Sequence, residues 1–421
     1  MMNGFDRVDP TEAGFDAGRL AAIDRFVEDN YLKSGRFPGF SWLIARGGRI
    51  VHRSTLGYRN VAQQVPMTDD TIVRIYSMSK PITSMALLSL YEEGRVRLYQ
   101  PVSTFIPSWG DLRVFADGTA SNYSTRFPER EMTVHDLLTH TSGLTYSWMA
   151  RHPVDSLYRR HKLDQNLPLD SYVEVLAGLP LLFSPGTRWS YSVATDVIGR
   201  LVEIISGQSF DSFLQEQFFD PLGMDDTAFW VGDDERAGRL AANYALPELS
   251  PIPLASGVEG DRMALIDEGG PDSPFRRKPR FLSGGGGLVS TLDDYLRFCQ
   301  MLLNGGQLGG RRVLSRKTIE LATSNHLPGG ADLATMGQEV FSETPRDGVG
   351  FGLGFSVVLS PPARKATCSV GEYGWGGLAS TLFWIDPAED LIVIGLTQLV
   401  PSSAYPIREE LRALVYGALS D

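Results

Sequence analysis

A serine and a lysine stand three residues apart where an apolar run begins. They are Ser77 and Lys80, in the segment RIYSMSKPITSMAL that spans residues 74–87. Residues i and i+3 lie on one face of a helix, so the two side chains can meet. A serine hydroxyl needs a contacting base to act as a nucleophile, and a lysine is a base only when it is neutral. The pair could therefore be a nucleophile with its base, although a helix cap beside a solvated lysine is the commoner explanation of a lone SxxK.

A second candidate is a tyrosine in a serine-bearing loop. The segment SPGTRWSYSV, residues 184–193, begins with a Pro-Gly turn and carries Tyr191 and Val193 just before a predicted helix from Thr195 to Ile205. A phenol beside a lysine can relay a proton, and the two groups then titrate as a unit. Taken alone, Tyr191 is better explained as an aromatic ring that packs under a loop.

A third candidate is the glycine-rich segment YGWGGL, residues 373–378, directly before a predicted strand from Leu378 to Ile385. Glycines let a strand edge approach its neighbour and expose a backbone amide. Such an amide suits an oxyanion hole, to which a helix N-terminus also contributes free amides. Trp375 could then form a wall of the substrate pocket. The alternative is a glycine-rich strand entry packed by a tryptophan.

These three segments, in this order and at this spacing, resemble the motifs of the serine β-lactamase and penicillin-recognising superfamily. The motifs there are SxxK, Tyr-x-Asn and, on a strand, Lys-Thr-Gly. Supporting phrases extend the similarity over about residues 15 to 419, namely DLLTHTSGL (136–144), FDPLGM (219–224) and GLVSTLDD (287–294). The resemblance favours the catalytic interpretation of Ser77 over the helix cap.

The departures from these motifs indicate a different substrate. Val193 stands where class C β-lactamases carry asparagine, and Trp375-Gly376-Gly377 replaces Lys-Thr-Gly. In that family the asparagine and lysine help to bind the amide and carboxylate of a β-lactam, so their absence argues against efficient β-lactamase or peptidase activity. The pattern SxxK, Tyr-Ser-Val, Trp-Gly-Gly is similar to that of the family VIII carboxylesterases. It implies hydrolysis of short- to medium-chain neutral esters, with weak β-lactam hydrolysis as a possible side activity.

The resemblance also implies roles for individual residues. Ser77 would be the nucleophile, Lys80 the general base or its proton partner, and Tyr191 the second base that returns a proton to the leaving alcohol. The backbone amides of Ser77 and Leu378 would form the oxyanion hole. Substrate binding would fall to Trp375, Gly376, Gly377 and Val193.

Other functions on the same fold remain open. They are a β-lactamase or D-amino-acid peptidase, an acyltransferase that passes its acyl group to an alcohol, and a non-catalytic scaffold. The scaffold is disfavoured because all three candidate catalytic side chains are present. No serine lies in a Gly-x-Ser-x-Gly elbow. Ser79 stands one residue before Lys80 and so points away from the lysine side chain, which excludes it as the predicted nucleophile. His135 and His140 would be about 140° apart on a helix, a poor metal pair, so we expect neither a metal nor a cofactor.

The predicted elements change along the chain. A helix capped by Asp16 and a hairpin around Gly47-Gly48 open it, and helical patches dominate the middle. Strands, among them one predicted from Gly350 to Leu359, and a helix return from Phe281 onward. The fold class predicted is α/β of the α+β kind. Its antiparallel sheet is formed from both chain ends and flanked by helices, and a mainly helical lobe is inserted. The domains would be residues 1–107 together with 281–421, and residues 108–280, with the active site at their seam.

Composition limits the partners. The net charge of −11 argues against nucleic acid, because phosphate binding needs a basic face. The two cysteines, Cys299 and Cys368, are too few for a disulfide framework. The N-terminus lacks the pattern of a signal peptide, and no apolar stretch is long enough to span a bilayer. We therefore expect a cytoplasmic protein that binds a small-molecule ester; the pattern does not indicate its oligomeric state.

Overall fold

The structure is a computed structural model that describes residues 5–163, 167–251, 262–337 and 346–421. The strands of these residues are β1 (Gly39–Arg46), β2 (Arg49–Asn60), β3 (Val65–Pro66), β4 (Val73–Arg74), β5 (Val114–Thr119), β6 (Asn122–Arg126), β7 (Asn243–Ala245), β8 (Ala264–Asp267), β9 (Val289–Ser290), β10 (Gln307–Leu308), β11 (Arg311–Arg312), β12 (Val349–Phe351), β13 (Ser356–Val358), β14 (Tyr373–Gly376), β15 (Leu382–Asp386), β16 (Leu391–Leu396) and β17 (Leu399–Val400). The helices are α1 (Ala17–Val27), α2 (Ser79–Glu92), α3 (Val134–Leu138), α4 (Pro153–Arg160), α5 (Leu169–Ala177), α6 (Ala194–Ser206), α7 (Phe210–Leu214), α8 (Asp220–Leu222), α9 (Asp234–Arg239), α10 (Leu292–Leu303), α11 (Arg316–Ala322), α12 (Leu333–Met336), α13 (Pro361–Arg364) and α14 (Ile407–Gly417).

The largest sheet formed by the described residues joins the two ends of the chain. It has eight strands in the spatial order β12-β13-β14-β15-β16-β1-β2-β3. Strand β1 pairs antiparallel with β16, and Leu43 lies opposite Ile394. The predicted antiparallel sheet with strands from both chain ends and flanking helices is confirmed.

The hairpin between β1 and β2 forms because its turn contains two glycines. Gly47 has φ of +60° and Gly48 of +72°, and side-chain-bearing residues rarely adopt such angles in succession. Two-residue turns with positive φ match the twist of the strands that they join. The turn thus fixes the register in which β1 enters the centre of the sheet.

The sheet is covered on both faces, because alternate side chains of a strand point to opposite sides. Trp42 and Ile44 of β1 belong to a core cluster that also holds side chains of α1 and α14. Leu43 belongs to the larger core, together with α2 and α10. Helix α2 is buried at every residue from Ser79 to Leu90 and packs against α6. Its position between the sheet and the middle segment places the SxxK motif deep in the molecule.

Two strand predictions were wrong in detail because glycines turn the chain. The predicted strand from Gly350 to Leu359 is the hairpin of β12 and β13, with Gly354 at φ of +98° between them. The predicted strand from Leu378 begins only at Leu382, because residues 377–381 form a turn. The glycine-rich segment before that turn is itself strand β14, which pairs with β15.

The middle of the chain carries helices α3 to α9 and two hairpins, β5–β6 and β7–β8. Strand β7 also pairs in parallel with β17, so the middle segment is tied to the C-terminal part. The domain limits at residues 107/108 and 280/281 stay a prediction, and residues 164–166 and 252–261 of the predicted lobe lie outside the described residues. Among the helices of the described ranges, none has both the length and the apolar character that a membrane span requires.

Candidate active site

Ser77 lies in a tight turn that leads directly into α2. Strand β4 ends at Arg74, and a 3₁₀ turn, Tyr76–Met78, precedes the helix. Tyr76 has φ of +45°, a conformation that costs a non-glycine residue about 1–3 kcal/mol. Its hydroxyl accepts a hydrogen bond from Asn243 Nδ2 at 2.7 Å, which helps to hold the turn. Ser77 is thereby presented at the N-terminal end of α2, where backbone amides lack intrahelical partners.

The three candidate catalytic side chains meet at the Ser77 hydroxyl. Tyr191 OH lies 2.7 Å from Ser77 Oγ, and Lys80 Nζ lies 3.1 Å from it. All three residues are buried, with Ser77 the most exposed at 8%. The structure therefore brings a hydroxyl and two potential proton acceptors within hydrogen-bonding distance, as nucleophilic catalysis requires.

Lys80 is held by a loop of four consecutive glycines, residues 284–287. Its Nζ donates a hydrogen bond to the Gly285 carbonyl at 2.6 Å and lies 4.5 Å from the centre of the Tyr191 ring. The side chain is only 2% exposed. Its position is consequently fixed by Gly285 and Tyr191 as well as by Ser77, and water has little access to it.

Tyr191 is enclosed by aromatic rings. Trp375 Nε1 lies 3.3 Å from its hydroxyl, and the rings of His140, Tyr146 and Trp189 lie within 5.1–6.2 Å of its own. Burial and the nearby charge of Lys80 hold the pKa of His140 well below its ordinary value, so this histidine is neutral at pH 7. The enclosure fixes the phenol against Ser77.

His140 anchors the loop that carries Tyr191. Its Nδ1 lies 3.1 Å from Ser192 Oγ, and its carbonyl accepts a hydrogen bond from the Ser190 amide at 2.9 Å. The motif DLLTHTSGL thus supports the site without touching Ser77 in any contact that the described residues make.

The turn after β14 packs directly on the segment that carries Ser77. A Cβ at Gly377 would clash with the Ile75 carbonyl oxygen and with Thr381 Oγ1, so only glycine fits there. The Gly377 carbonyl is held by Arg408 Nη2 at 3.0 Å. This close approach places Leu378 beside Ser77, where both residues line one cleft.

The cleft above Ser77 has a volume of about 770 Å³ and a largely aromatic wall. Tyr146 and Trp148 stack with their ring centres 5.0 Å apart, and Tyr172 lies 4.6 Å from Phe281. The other described residues that line it include Tyr76, Leu163, Tyr191, Val193, Asp196, Phe275, Ser283, Gly285 and Gly286. Its size and apolar character suit a small organic substrate.

The predicted substrate-binding residues occupy two different positions. Val193 lines the cleft, whereas Trp375, Gly376 and Gly377 are not among the described residues that line it. Trp375 contacts Tyr191 instead, and a Cβ at Gly376 would meet the Arg408 guanidinium. The structure thus places Trp375 against Tyr191 and Gly376 beside Arg408, and the part of all three residues in substrate binding stays a prediction.

Two site residues were missed by the sequence argument. Gly285 contacts Lys80, and Asp196 Oδ1 accepts hydrogen bonds from Ser283 Oγ at 2.6 Å and from the Gly285 amide at 2.9 Å. The run of four glycines after Ser283 signals a tightly packed loop, but it does not indicate which residues that loop contacts. Asp196, five residues after Tyr191, carried no signal beyond its position in the first turn of a predicted helix.

A local basic run at the cleft mouth was also overlooked, because the overall charge of −11 conceals it. Four of the five residues from Arg276 to Arg280 are basic, and Arg277 and Lys278 line the cleft. Arg276 pairs with Asp234 at 2.8 Å and Lys278 with Asp211 at 2.5 Å. These ion pairs fasten the segment that forms one wall.

The residues rejected as chemistry have other contacts. Ser79 Oγ accepts a hydrogen bond from the Leu288 amide at 3.2 Å, away from Lys80. His135 Nε2 lies 3.1 Å from His326 Nδ1 rather than near His140. Of the aromatic residues in the middle segment, Tyr146 and Trp148 line the cleft, whereas Trp109 and Tyr158 are buried in the core.

Comparisons with known proteins agree with this geometry. The family model described as Beta-lactamase matches residues 23–417. Protein Rv1367c of Mycobacterium tuberculosis is 34% identical over 372 residues, and the match covers 87% of each chain. Esterase EstB of Burkholderia gladioli is 32% identical over 426 residues, covering 97% of this chain and 98% of the relative. The solved structure of EstCE1, a hydrolase with promiscuous acyltransferase activity, superposes with a TM-score of 0.75 at 25% identity, covering 96% of this chain and 99% of that one.

Proposed function

Since the chain is a serine hydrolase that belongs to the beta-lactamase family, we propose that it is a carboxylesterase for short- to medium-chain neutral esters. Turnover passes through an acyl-enzyme on Ser77. The observation that carries the proposal is the position of Ser77 Oγ, 2.7 Å from Tyr191 OH and 3.1 Å from Lys80 Nζ. This hydroxyl opens into a cleft with an aromatic wall.

Acylation begins when Ser77 Oγ attacks the ester carbonyl carbon. The proton of the hydroxyl passes to Tyr191 or Lys80, both of which are in contact with it, and the carbonyl oxygen becomes an oxyanion. The backbone amides of Ser77 and Leu378 stabilise that charge. The C–O bond to the alcohol then breaks, the alcohol takes up a proton relayed by Tyr191, and the acyl group stays on Ser77.

Deacylation repeats the sequence with water as the nucleophile. Water loses a proton to the same groups and attacks the acyl carbon, and the bond to Ser77 Oγ breaks. The proton returns to Ser77, and the carboxylic acid leaves. No metal or redox group is needed to balance either step.

Two positions favour a neutral ester over a β-lactam. Val193 lines the cleft with an apolar side chain, and Trp375 directs its indole N–H at Tyr191. Neither side chain can bind a carboxylate as a lysine does. The match to an esterase over nearly the whole chain supports the same choice. Weak β-lactam hydrolysis is compatible with the acyl-enzyme chemistry, because a β-lactam also acylates a serine.

A second candidate is acyl transfer to an alcohol. It is favoured by the likeness to EstCE1, which is described as a hydrolase with promiscuous acyltransferase activity. The acyl-enzyme is the same, and only the acceptor differs. Product analysis with added methanol decides between the two, because methyl ester formation reveals transfer and the free acid alone reveals hydrolysis.

The test is a panel of 4-nitrophenyl esters of increasing chain length, run beside a chromogenic cephalosporin. We expect turnover to be fastest with short and medium acyl chains and much slower with the cephalosporin. A fluorophosphonate should label Ser77, and Ser77→Ala should abolish both labelling and ester hydrolysis. Faster turnover of the cephalosporin, or labelling that survives Ser77→Ala, contradicts the proposal.

A further inference from the structure

Asp196 is a buried carboxylate that the proposed reaction does not use. It lies in the first turn of α6, is 3% exposed and borders the cleft. Burial raises its pKa above the ordinary value, while hydrogen bonds and the positive charge of Lys80 oppose that change. A carboxylate in such a place is costly unless its hydrogen bonds serve the structure around it.

The contacts of Asp196 lead to Lys80 through one residue. Asp196 Oδ1 accepts the Gly285 amide N–H at 2.9 Å, and the Gly285 carbonyl accepts Lys80 Nζ at 2.6 Å. A second hydrogen bond joins Asp196 Oδ1 to Ser283 Oγ at 2.6 Å. Asp196 therefore accepts hydrogen bonds from two residues at the start of the loop, one on each side of Gly284.

The loop needs this support because it consists of glycines. Residues 284–287 have no side chains to pack, and glycine loses the most conformational freedom on ordering. A side chain does not fit at Gly284, because a Cβ there would lie 2.6 Å from the Thr195 carbonyl oxygen. A Cβ at Gly285 would lie 3.0 Å from Asp196 Oδ2. Polar contacts must therefore fix the loop, and Thr83 Oγ1 supplies another by donating to the Gly284 carbonyl at 2.9 Å.

We propose that Asp196 is a positioning residue for Lys80. Asp196 holds the amide N–H of Gly285 and thereby orients the carbonyl of the same residue, and this carbonyl fixes the lysine amine beside Ser77 Oγ. The inference rests on the proposed function, since it assigns Lys80 a part in activating Ser77. The acceptor oxygen of Asp196, and not its negative charge, does the positioning.

Two substitutions separate oxygen position from charge. Asp196→Asn keeps an acceptor oxygen for Ser283 and Gly285 but removes the charge. Asp196→Glu keeps the charge but moves the oxygens by one methylene. We expect the fluorophosphonate labelling rate of Ser77 to stay within about threefold of wild type in Asp196→Asn. In Asp196→Glu it should fall by about 10²-fold, the cost of displacing a catalytic group by about 1 Å.

Thr397→Val is the matched control, because it removes a buried threonine hydrogen bond to a glycine carbonyl, that of Gly39 at 2.6 Å, outside the loop of residues 284–287. It should lower the melting temperature and leave the labelling rate near that of wild type. If Asp196→Glu fails to fold, Asp196→Ala takes its place, since it also removes the acceptor. A slow Asp196→Asn enzyme, or a fast Asp196→Glu or Asp196→Ala enzyme, overturns the proposal.

The labelling assay tests the positioning role of Asp196 independently of the proposed esterase activity. The phosphonate reports the reactivity of Ser77 whatever the natural substrate is. If the wild type is labelled but hydrolyses none of the nitrophenyl esters, the esterase proposal fails. The contrast between the Asp196 variants still decides the positioning role.

Discussion

Two buried polar networks in this molecule contain similar groups and differ in what they enclose. The site network consists of Ser77, Lys80, Tyr191, Asp196 and Gly285. The second, here called the C-terminal ion cluster, consists of Glu372, Arg412, Arg364, Tyr416 and Asp386. In the cluster, Arg412 pairs with Glu372, and Tyr416 OH lies 2.7 Å from Glu372 Oε2 and 2.6 Å from Asp386 Oδ2.

The two networks differ in their access to a cleft and in the presence of a serine hydroxyl, the proposed nucleophile. The site network borders a cleft of about 770 Å³, and its central atom is a serine hydroxyl. The ion cluster joins α14 to the strand ends beside β14 and β15, and Glu372 is 3% exposed. Each network buries a carboxylate whose pKa is raised by burial, Asp196 in one and Glu372 in the other. A buried charge with a perturbed pKa is therefore not in itself a sign of catalysis.

Among substitutions outside Ser77, the largest expected effect is the loss of activity in Tyr191→Phe. Removing the phenol takes away a proton carrier, so kcat should fall by about 10²–10⁴-fold. Tyr295→Phe is the control, because Tyr295 is also a buried tyrosine and donates to the Met78 carbonyl at 2.9 Å. It should cost about 1 kcal/mol of stability and little activity. Equal losses of kcat in the two variants would contradict the role of Tyr191.

Next in size is the destabilisation expected for Arg412→Ala in the ion cluster. The substitution leaves Glu372 buried without its nearest cation, which typically costs about 3–5 kcal/mol. Arg364 remains 3.7 Å from Glu372, so the lower end of that range is expected. Urea unfolding measures the loss, and titration with the fluorophosphonate gives the active fraction. Activity per labelled Ser77 should be unchanged, and a specific loss of kcat would show that the two networks are coupled.

A smaller effect is expected for Trp375→Phe, which removes the N–H that lies 3.3 Å from Tyr191 OH. One hydrogen bond is worth about 1 kcal/mol, so kcat should fall by less than about tenfold with little change in KM. Trp384→Phe is the matched control beside the ion cluster, where Arg412 Cζ lies 4.5 Å from the centre of the Trp384 ring. It should affect melting temperature only. A large rise in KM for Trp375→Phe would instead support the predicted role of Trp375 in binding substrate.

The smallest effect is expected in the pH dependence of stability. Burial raises the pKa of Glu372 above its ordinary value of 4.5, so the unfolded chain releases this proton at lower pH than the folded chain does. The stability that this group contributes is therefore lost as pH rises through the window that begins near 4.5 and ends above the raised pKa. Glu372→Gln has no such proton, and its melting temperature relative to wild type should increase with pH across that window. A constant difference between the two proteins would contradict the raised pKa.

Much of the site was predictable because it lies in short segments of sequence. Ser77 and Lys80 are one helical turn apart, so local geometry alone brings them together. Gly47-Gly48 predicted the hairpin, and resemblance to known motifs joined Tyr191 and the segment of Trp375 to the same site. The position of Trp375 was not predictable, because a side chain next to a strand end can face the cleft or the neighbouring residues. Here it contacts Tyr191.

The sequence by itself determined the pairing of Ser77 with Lys80, the two-ended sheet and the apolar replacements at Val193 and Trp375. All of these follow from residue types at short spacing or in known order. Only the tertiary structure decided that Asp196 and Gly285, 89 residues apart, share a hydrogen bond beside Lys80. It also decided that the basic run at Arg277 borders the cleft. Contacts between distant segments depend on how the helices pack, and no local propensity or period encodes that packing.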